Sequence, residues 1–248
     1  MNYESKNWQK QKKLEWENNA DFWIKIIRKK MDPFREKLTN RAILNSLKGE
    51  KNLKILDAGC GEGYLCRKLA RRGNILFGID FSKKLIEAAK EAEKRNPLGI
   101  KYFLGDFRKT NFPSSFFDVI ISHQTINEIP DPERAFREFS RILKRKGKLV
   151  FLFLHPCFDF PIKELNSLNY FQRKKIKKGY YLVSGIKSPS PYFYLHLSLS
   201  EWISSLIKSG FSIFNITEPH PSLKTLKKRW WRRKFNYPRF ILIEAKKN

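Results

Sequence analysis

Short apolar runs and amphipathic stretches alternate along the middle of the chain. Leu53–Asp57, Ile75–Asp80, Ile100–Leu104, Phe117–Ile121 and Leu149–Leu154 are near-continuous runs of β-branched, aromatic and aliphatic residues closed by turn residues, the pattern of strands buried on both faces. The segments between them carry helical periodicity. At Asp131-Pro-Glu-Arg an N-cap acceptor, a proline at the first helical position and an early glutamate predict a helix start. Its stripe is Ala135, Phe136, Phe139, Ile142 and Leu143, and Lys144-Arg-Lys followed by Gly147 predicts the stop. Ser198-Leu-Ser-Glu201 has capping-box spacing, with Leu199, Trp202, Ile203, Leu206 and Ile207 inward and Gly210 as terminator. Phe211–Ile216 and Phe240–Ile243 bring the strand total to seven. The alternation predicts an α/β chain with a doubly wound, mostly parallel seven-stranded sheet.

Two kinds of segment stand outside the alternation. Residues 1–50 read as helical and hold Trp8, Trp16, Phe22, Trp23 and Phe34, too many aromatics for a tail, so they are expected to form a cap over the sheet. Residues 156–197 and 217–238 read as irregular, basic, aromatic and proline-rich insertions after the fifth and sixth strands, and long insertions at strand ends commonly cover binding sites. The expected organisation is one domain over 1–248. It comprises a cap (1–50), a core (51–155), an insertion over the substrate site (156–197) and a closing helix with strands (198–248), without internal repeats.

Composition narrows the class. At 248 residues and 41% hydrophobic content the chain can bury a core, and no run approaches the roughly 20 apolar residues of a membrane span. The polar start Met1–Trp8 lacks an apolar signal core, which sets a cytoplasmic expectation. Cys60, Cys66 and Cys157 are odd in number and widely spaced, fitting neither a disulfide framework nor a thiolate metal site, so no metal is expected. Charge is the unusual feature: 51 Lys and Arg against 24 Asp and Glu give +27. Clusters at Arg141–Lys148, Arg173–Lys178 and Lys224–Lys234, the last containing Trp230 and Trp231, suit RNA or another polyanion. They suit equally a solvated surface with the two indoles turned inward.

The chemistry concentrates in Ile55-Leu-Asp-Ala-Gly-Cys-Gly-Glu-Gly-Tyr64, where a strand runs into three alternating glycines and a helix over Tyr64–Arg71. Glycines there allow a sharp turn and close approach of a ligand, while a helix start offers N–H donors. The spacing differs from the dinucleotide fingerprint, because position 64 is Tyr. Asp80 closes the second strand near the spacing at which a carboxylate accepts ribose hydroxyls, and Asp106 follows the third. Strand-end aspartates also cap helices, so it is the conjunction that points to a nucleoside site.

Leu56-Asp-Ala-Gly-Cys-Gly-Glu-Gly, Gly78-Ile-Asp-Phe-Ser, Gly105-Asp106, Phe117-Asp-Val-Ile-Ile and Gly147-Lys-Leu-Val resemble, in order and spacing over about residues 50–155, the successive motifs of class I S-adenosylmethionine-dependent methyltransferases, small-molecule type (type 11 or 25). The resemblance implies the Rossmann-like methyltransferase fold and S-adenosyl-L-methionine as cofactor, with S-adenosyl-L-homocysteine as product. It places Asp57, Gly59, Cys60 and Gly61 at the methionine part and Asp80 at the ribose with Phe81 beside the adenine. Asp106 and Phe107 then meet the adenine, Ser122, His123 and Gln124 line the sulfonium end, and Arg35 pairs the cofactor carboxylate. Methyl transfer is an in-line displacement, so alignment matters most and a base only where the acceptor carries a proton. Of four histidines, His123, His155 and His196 are base candidates, and each serves equally as a structural hydrogen-bonder. Ser122-His-Gln-Thr, standing where amino-methylating nucleic-acid enzymes carry Asn/Asp-Pro-Pro-aromatic, disfavours base amino groups, and Cys157 has no second feature of a pyrimidine nucleophile. The expected acceptor is a small molecule. RNA methylation and a non-catalytic binding module are the alternatives, with no membrane partner expected.

Overall fold

The computed structural model describes residues 6–129, 131–158, 170, 171 and 174–248, with side chains for all of these except 6 and 174–178; the Arg173–Lys178 cluster lies outside the described side chains. Helix α1 (Lys6–Arg28) leads through a π-helical turn (Arg35–Thr39) into α2 (Asn40–Ser46). Strands β1 (Lys54–Ala58), β2 (Ile75–Asp80) and β3 (Lys101–Leu104) alternate with α3 (Tyr64–Ala70) and α4 (Lys83–Arg95). Then come β4 (Phe117–His123), a 3₁₀ turn (Ile126–Glu128), α5 (Pro132–Ile142) and β5 (Leu143–Leu154). The remainder is a hairpin of β6 (Lys174–Val183) and β7 (Ile186–His196), α6 (Leu199–Lys208), β8 (Phe211–Thr217), the short α7 (Leu223–Leu226) and α8 (Arg229–Lys234), and β9 (Phe240–Lys247).

Seven strands form one sheet in the order β3-β2-β1-β4-β5-β9-β8. All pairings are parallel except those of β9, which runs antiparallel between β5 and β8. The expected doubly wound sheet is thus present. Side chains of successive strand residues go to opposite layers. Leu56, Phe77, Ile120, Leu149 and Phe151 meet Phe136, Phe139 and Ile142 of α5 and Trp202 and Leu206 of α6, whereas Ile55, Leu76, Val119, Ile121 and Val150 meet Ile43 of α2, Leu65 and Leu69 of α3 and Ile86 of α4. Burial on both faces is why these strands read as unbroken apolar runs.

Two sequence expectations are corrected here. Helix α5 ends at Ile142, one turn earlier than predicted, and Leu143 already pairs with Phe117. Lys144, Arg145 and Lys146 therefore belong to the irregular start of β5 and do not complement a helix end; Lys144 pairs with Asp118 at 2.5 Å, and Gly147 has no room for a Cβ against the Lys144 carbonyl at 2.8 Å. The insertions also hold regular structure. Residues 174–196 make an antiparallel hairpin and 217–238 contain α7 and α8. Pro189 and Pro191, which argued against strand, are tolerated because a two-stranded ladder leaves each strand one free edge. In the described residues no helix is long and apolar enough to cross a membrane.

Candidate functional site

The strand order reverses between β1 and β4, and there, beyond the carboxyl ends of the strands, a cavity of about 380 Å³ opens, the place and the size expected of a small-molecule site in such a sheet. Its floor is the turn after β1. Gly59 has a positive φ of +83°, and a Cβ there would come within 2.2 Å of Thr125 Cγ2, so this glycine serves close packing of the turn against the segment after β4. At Gly61, φ +55°, a Cβ would meet nothing within 4 Å; this is the open part of the cradle.

Two buried carboxyls flank the turn. Asp80 accepts the Gly61 N–H at 2.9 Å and, through its other oxygen, the Ser82 N–H at 2.9 Å, so it knits β2 to the glycine turn. Burial raises its pKa to about 6, against the lowering effect of those N–H donors. Asp57 accepts the Cys66 thiol at 3.4 Å, and burial raises it to about 7. Burial also pushes the Cys60 thiol up to about 11, so this cysteine is a packing group and no nucleophile.

A cationic corner faces this floor. Arg35, on the π-helical turn, lies 3.4 Å from His123 Nδ1 and 3.9 Å from Asp32. Its Nε, like His123 Nε2, Trp23 Nε1 and Asn127 Oδ1, is buried without a hydrogen-bond partner, and all four residues line the cavity. Burial and the Arg35 charge hold His123 neutral. Four unsatisfied polar atoms around one cavity mark a place prepared for a polar ligand.

The far side is aromatic. Trp16 and Trp23 of α1 and Tyr180, Tyr181 and Tyr192 of the hairpin enclose it. Trp23 meets Tyr181 edge-on at 4.9 Å, and Tyr181 stacks on Tyr192 at 3.8 Å. Where this wall meets the 3₁₀ turn, Glu128 is buried against Lys12, which also binds Glu15 at 2.9 Å and the Phe193 carbonyl. Residues more than 150 positions apart are joined here: Asn19 Nδ2 donates to the Ser190 carbonyl at 3.1 Å, and the Phe193 N–H donates to Glu15 at 3.2 Å.

The cavity brings together Arg35, Asp57, Gly59, Cys60, Gly61, Asp80, Phe81, His123 and Gln124. It leaves out five residues that the resemblance or the chemistry had nominated. Asp106 folds back onto Arg108, two residues on, at 2.6 Å. Phe107 is buried against Phe139, with ring centroids 5.7 Å apart. Ser122, the strand neighbour of His123, points to the opposite layer and is fully buried. His155 Nε2 lies 3.0 Å from Glu218 outside the cavity, and His196 Nε2 lies 2.8 Å from the Tyr170 carbonyl. Cys157 Sγ lies 3.4 Å from the Tyr170 hydroxyl. The residues that sequence reasoning missed are Trp16, Trp23, Thr125, Asn127, Glu128, Tyr181 and Tyr192. The five-residue step from the end of β4 to Glu128 was a usable signal, since residues just beyond a strand end in this topology face the ligand.

The set fits a nucleoside bearing an amino-acid moiety: an open glycine backbone, a buried acid with spare lone pairs for sugar hydroxyls, and an unsatisfied guanidinium nitrogen for a carboxylate. Comparison with known proteins agrees. Residues 56–151 match the methyltransferase-domain family. A ubiquinone biosynthesis O-methyltransferase of Coxiella burnetii is 28% identical over 190 residues, covering 77% of this chain and 74% of that protein. One of Pelagibacter ubique is 39% identical over 111 residues, covering 42% and 43%. Among solved structures, a Listeria monocytogenes protein described as an S-adenosylmethionine-dependent methyltransferase superposes with a TM-score of 0.70 at 21% identity, over 85% of this chain and 97% of that one. A Mesorhizobium loti S-adenosylmethionine-dependent methyltransferase gives 0.66 at 24% identity, over 84% and 96%. At those identities the structural likeness speaks for the fold alone.

Proposed function

Since the chain is a class I S-adenosylmethionine-dependent methyltransferase, we propose that it methylates a hydroxyl oxygen of a small, flat aromatic molecule, working in the cytoplasm. One observation carries this reading: the cavity is a single chamber with a polar nucleoside half, Asp57 to Asp80, and an aromatic half walled by Trp16, Trp23, Tyr181 and Tyr192. An aromatic acceptor stacked in the second half faces the first. The relatives named as ubiquinone biosynthesis O-methyltransferases support transfer to oxygen of a small molecule, and three free cysteines suit a reducing compartment.

When bound, the cofactor supplies an electrophilic methyl on sulfur. The chain's part is to hold both partners in line and keep water out, an effect that scales with how well the near-attack geometry is fixed. In this reading Asp80 holds the ribose, Arg35 the carboxylate, and Gly61 admits the close backbone approach; the buried Asp80 carboxyl, the unpartnered Arg35 Nε and the open space at Gly61 support it. The parallel Tyr181 and Tyr192 rings, with Trp23 edge-on to Tyr181, support a flat acceptor in this half.

The test incubates the full chain with isotopically labelled cofactor and either small phenols and catechols or total transfer RNA, followed by mass spectrometry. Methyl ethers are the expected product; label in RNA and none in any phenol overturns the reading. That second reading, RNA methylation, has one observation in its favour: Trp230 is 46% exposed among Arg229, Arg233 and Lys234 of α8. Its partner Trp231 is buried, stacking within 5.6 Å of Phe235. Asp80→Ala is expected to weaken cofactor binding at least about tenfold in calorimetry, the loss of a buried charge-assisted hydrogen bond.

A further inference from the structure

The histidines leave the transfer without a base. His155 and His196 lie outside the cavity, and His123 is buried beside the Arg35 cation, an environment that opposes taking up a proton. Five carboxyls line the cavity: Asp32, Asp57, Glu62, Asp80 and Glu128. Asp32 accepts the Phe34 and Arg35 N–H groups of its own turn. Glu62 is locked between Arg28 at 3.0 Å and Arg67 at 2.7 Å. Asp57 and Asp80 belong to the nucleoside half. Glu128 remains, on the aromatic side, beside Trp16 and near Tyr181, whose hydroxyl burial and the neighbouring carboxylates keep protonated.

Resting on the small-phenol reading, we propose that Glu128 is the general base that takes the acceptor's hydroxyl proton, and that Lys12 and Glu15 tune it from behind. The Lys12 ammonium has three donors and spends them on Glu15, Glu128 and the Phe193 carbonyl. One cation thus serves two carboxylates that are both buried. Two acids sharing one counter-charge in a site poor in water hold a proton more tightly than either would alone. Burial, with the neighbouring acid adding, raises Glu15 to about 7, and burial raises Glu128. A carboxylate poised near neutral pH is suited to general-base work, whereas an ordinary one is too weak. The charged and titratable groups facing Glu128 are Lys12 and Glu15 from α1 and Tyr181 from β6, with the neutral Trp16 indole of α1 beside it.

In the step, the acceptor O–H proton passes to the Glu128 carboxylate as the oxygen forms its bond to the methyl carbon. The methyl–sulfur bond breaks, and its electron pair stays on sulfur as the thioether. The methyl ether leaves, and Glu128 returns its proton to water. Lys12 contacts neither reactant and positions the base.

Catechol and 4-nitrocatechol serve as acceptors for the full chain. Glu128→Gln is expected to lower kcat/KM for catechol at least about 100-fold, to abolish the acid limb of its pH profile, and to leave cofactor affinity in calorimetry within twofold. The loss with 4-nitrocatechol, whose hydroxyl is more acidic, is expected to be several-fold smaller. Glu15→Gln, which removes the like charge, is expected to shift the acid limb to lower pH. Without turnover, 4-nitrocatechol bound to the cofactor-free chain shows the phenolate absorption in the wild type and loses it in Glu128→Gln. An unchanged pH profile in Glu128→Gln, or equal losses for both acceptors with an unaltered bound spectrum, overturns the proposal and leaves Glu128 as an anchor of α1. A wild type that binds cofactor and methylates neither compound nor any other phenol overturns the acceptor reading beneath it.

Discussion

A methyl group added at Gly59 would overlap Thr125 Cγ2 at 2.2 Å in a backbone conformation, φ +83°, that side chains rarely adopt. Gly59→Ala is therefore expected to lower the thermal midpoint and to weaken cofactor binding at least about tenfold, whereas Gly61→Ala, with open space and only the positive φ against it, perturbs stability less; differential scanning fluorimetry and calorimetry distinguish them. The two buried aspartates make a pH prediction. Asp57 and Asp80 hold protons in the folded chain up to about pH 7 and about 6, while the unfolded chain releases them near pH 4. The folded chain binds more protons in that window, so their contribution to stability is fullest below about pH 4 and is lost as pH rises through 6 and 7. Asp57→Asn removes one of them, and its thermal midpoint is expected to gain on the wild type as pH climbs from 4 to 7.5. The turn at the cavity floor, Asp57, Gly59, Gly61 and Asp80, was legible as a turn because its positive φ values and buried acids demand those residue types at those spacings. That Asp106, His155 and His196 lie away from the cavity was not legible, since nothing in the sequence says whether a strand-end acid reaches a ligand or an arginine two residues away.

At the scale of elements, helix starts were the most legible feature. Asp131 accepts the Arg134 N–H at 3.0 Å, and Ser198 and Glu201 complete a reciprocal capping box. Ser198→Ala is expected to cost about 1 kcal/mol, a fall of roughly 2–4 °C in thermal midpoint for a chain of this size, read by circular dichroism. Helix ends were less legible. The stripe of α5 continues into Leu143 because Leu143 is also the first buried residue of β5, and a single apolar residue satisfies both periodicities. The β6–β7 hairpin was hidden for a different reason. It stands apart from the seven-stranded sheet and its strands carry lysines and prolines, so neither alternation nor a continuous run develops.

At the scale of the molecule, the excess of 27 positive charges is distributed over a surface on which many cations already have partners, such as Lys84 with Asp21, Arg137 with Glu133 and Arg141 with Glu138. These pairs contribute little to stability, and because 24 acids cannot offset 51 cations, screening of the remaining repulsion is expected to raise the thermal midpoint as ionic strength rises, read by differential scanning fluorimetry. The chamber depends instead on α1 meeting the hairpin through Lys12, Glu15 and Asn19. The general α/β plan was legible in the whole sequence because both faces of the sheet are covered. The enclosure of the cavity was not, because it is made by contacts between residues 12–27 and 180–193 that leave no local pattern.

The insertion of β9 between β5 and β8 has a consequence for biosynthesis. Strand β9, which follows β8 in the chain, supplies both inner hydrogen-bonded edges at that side of the sheet, so β8 has nothing to pair with until residues 240–247 have left the ribosomal tunnel. The parallel strands β1 to β5 can pair as they emerge, whereas Phe211 of β8 reaches its place in the aromatic layer beside Trp202 only once a segment made later has slotted in next to β5, so that edge of the sheet closes out of chain order.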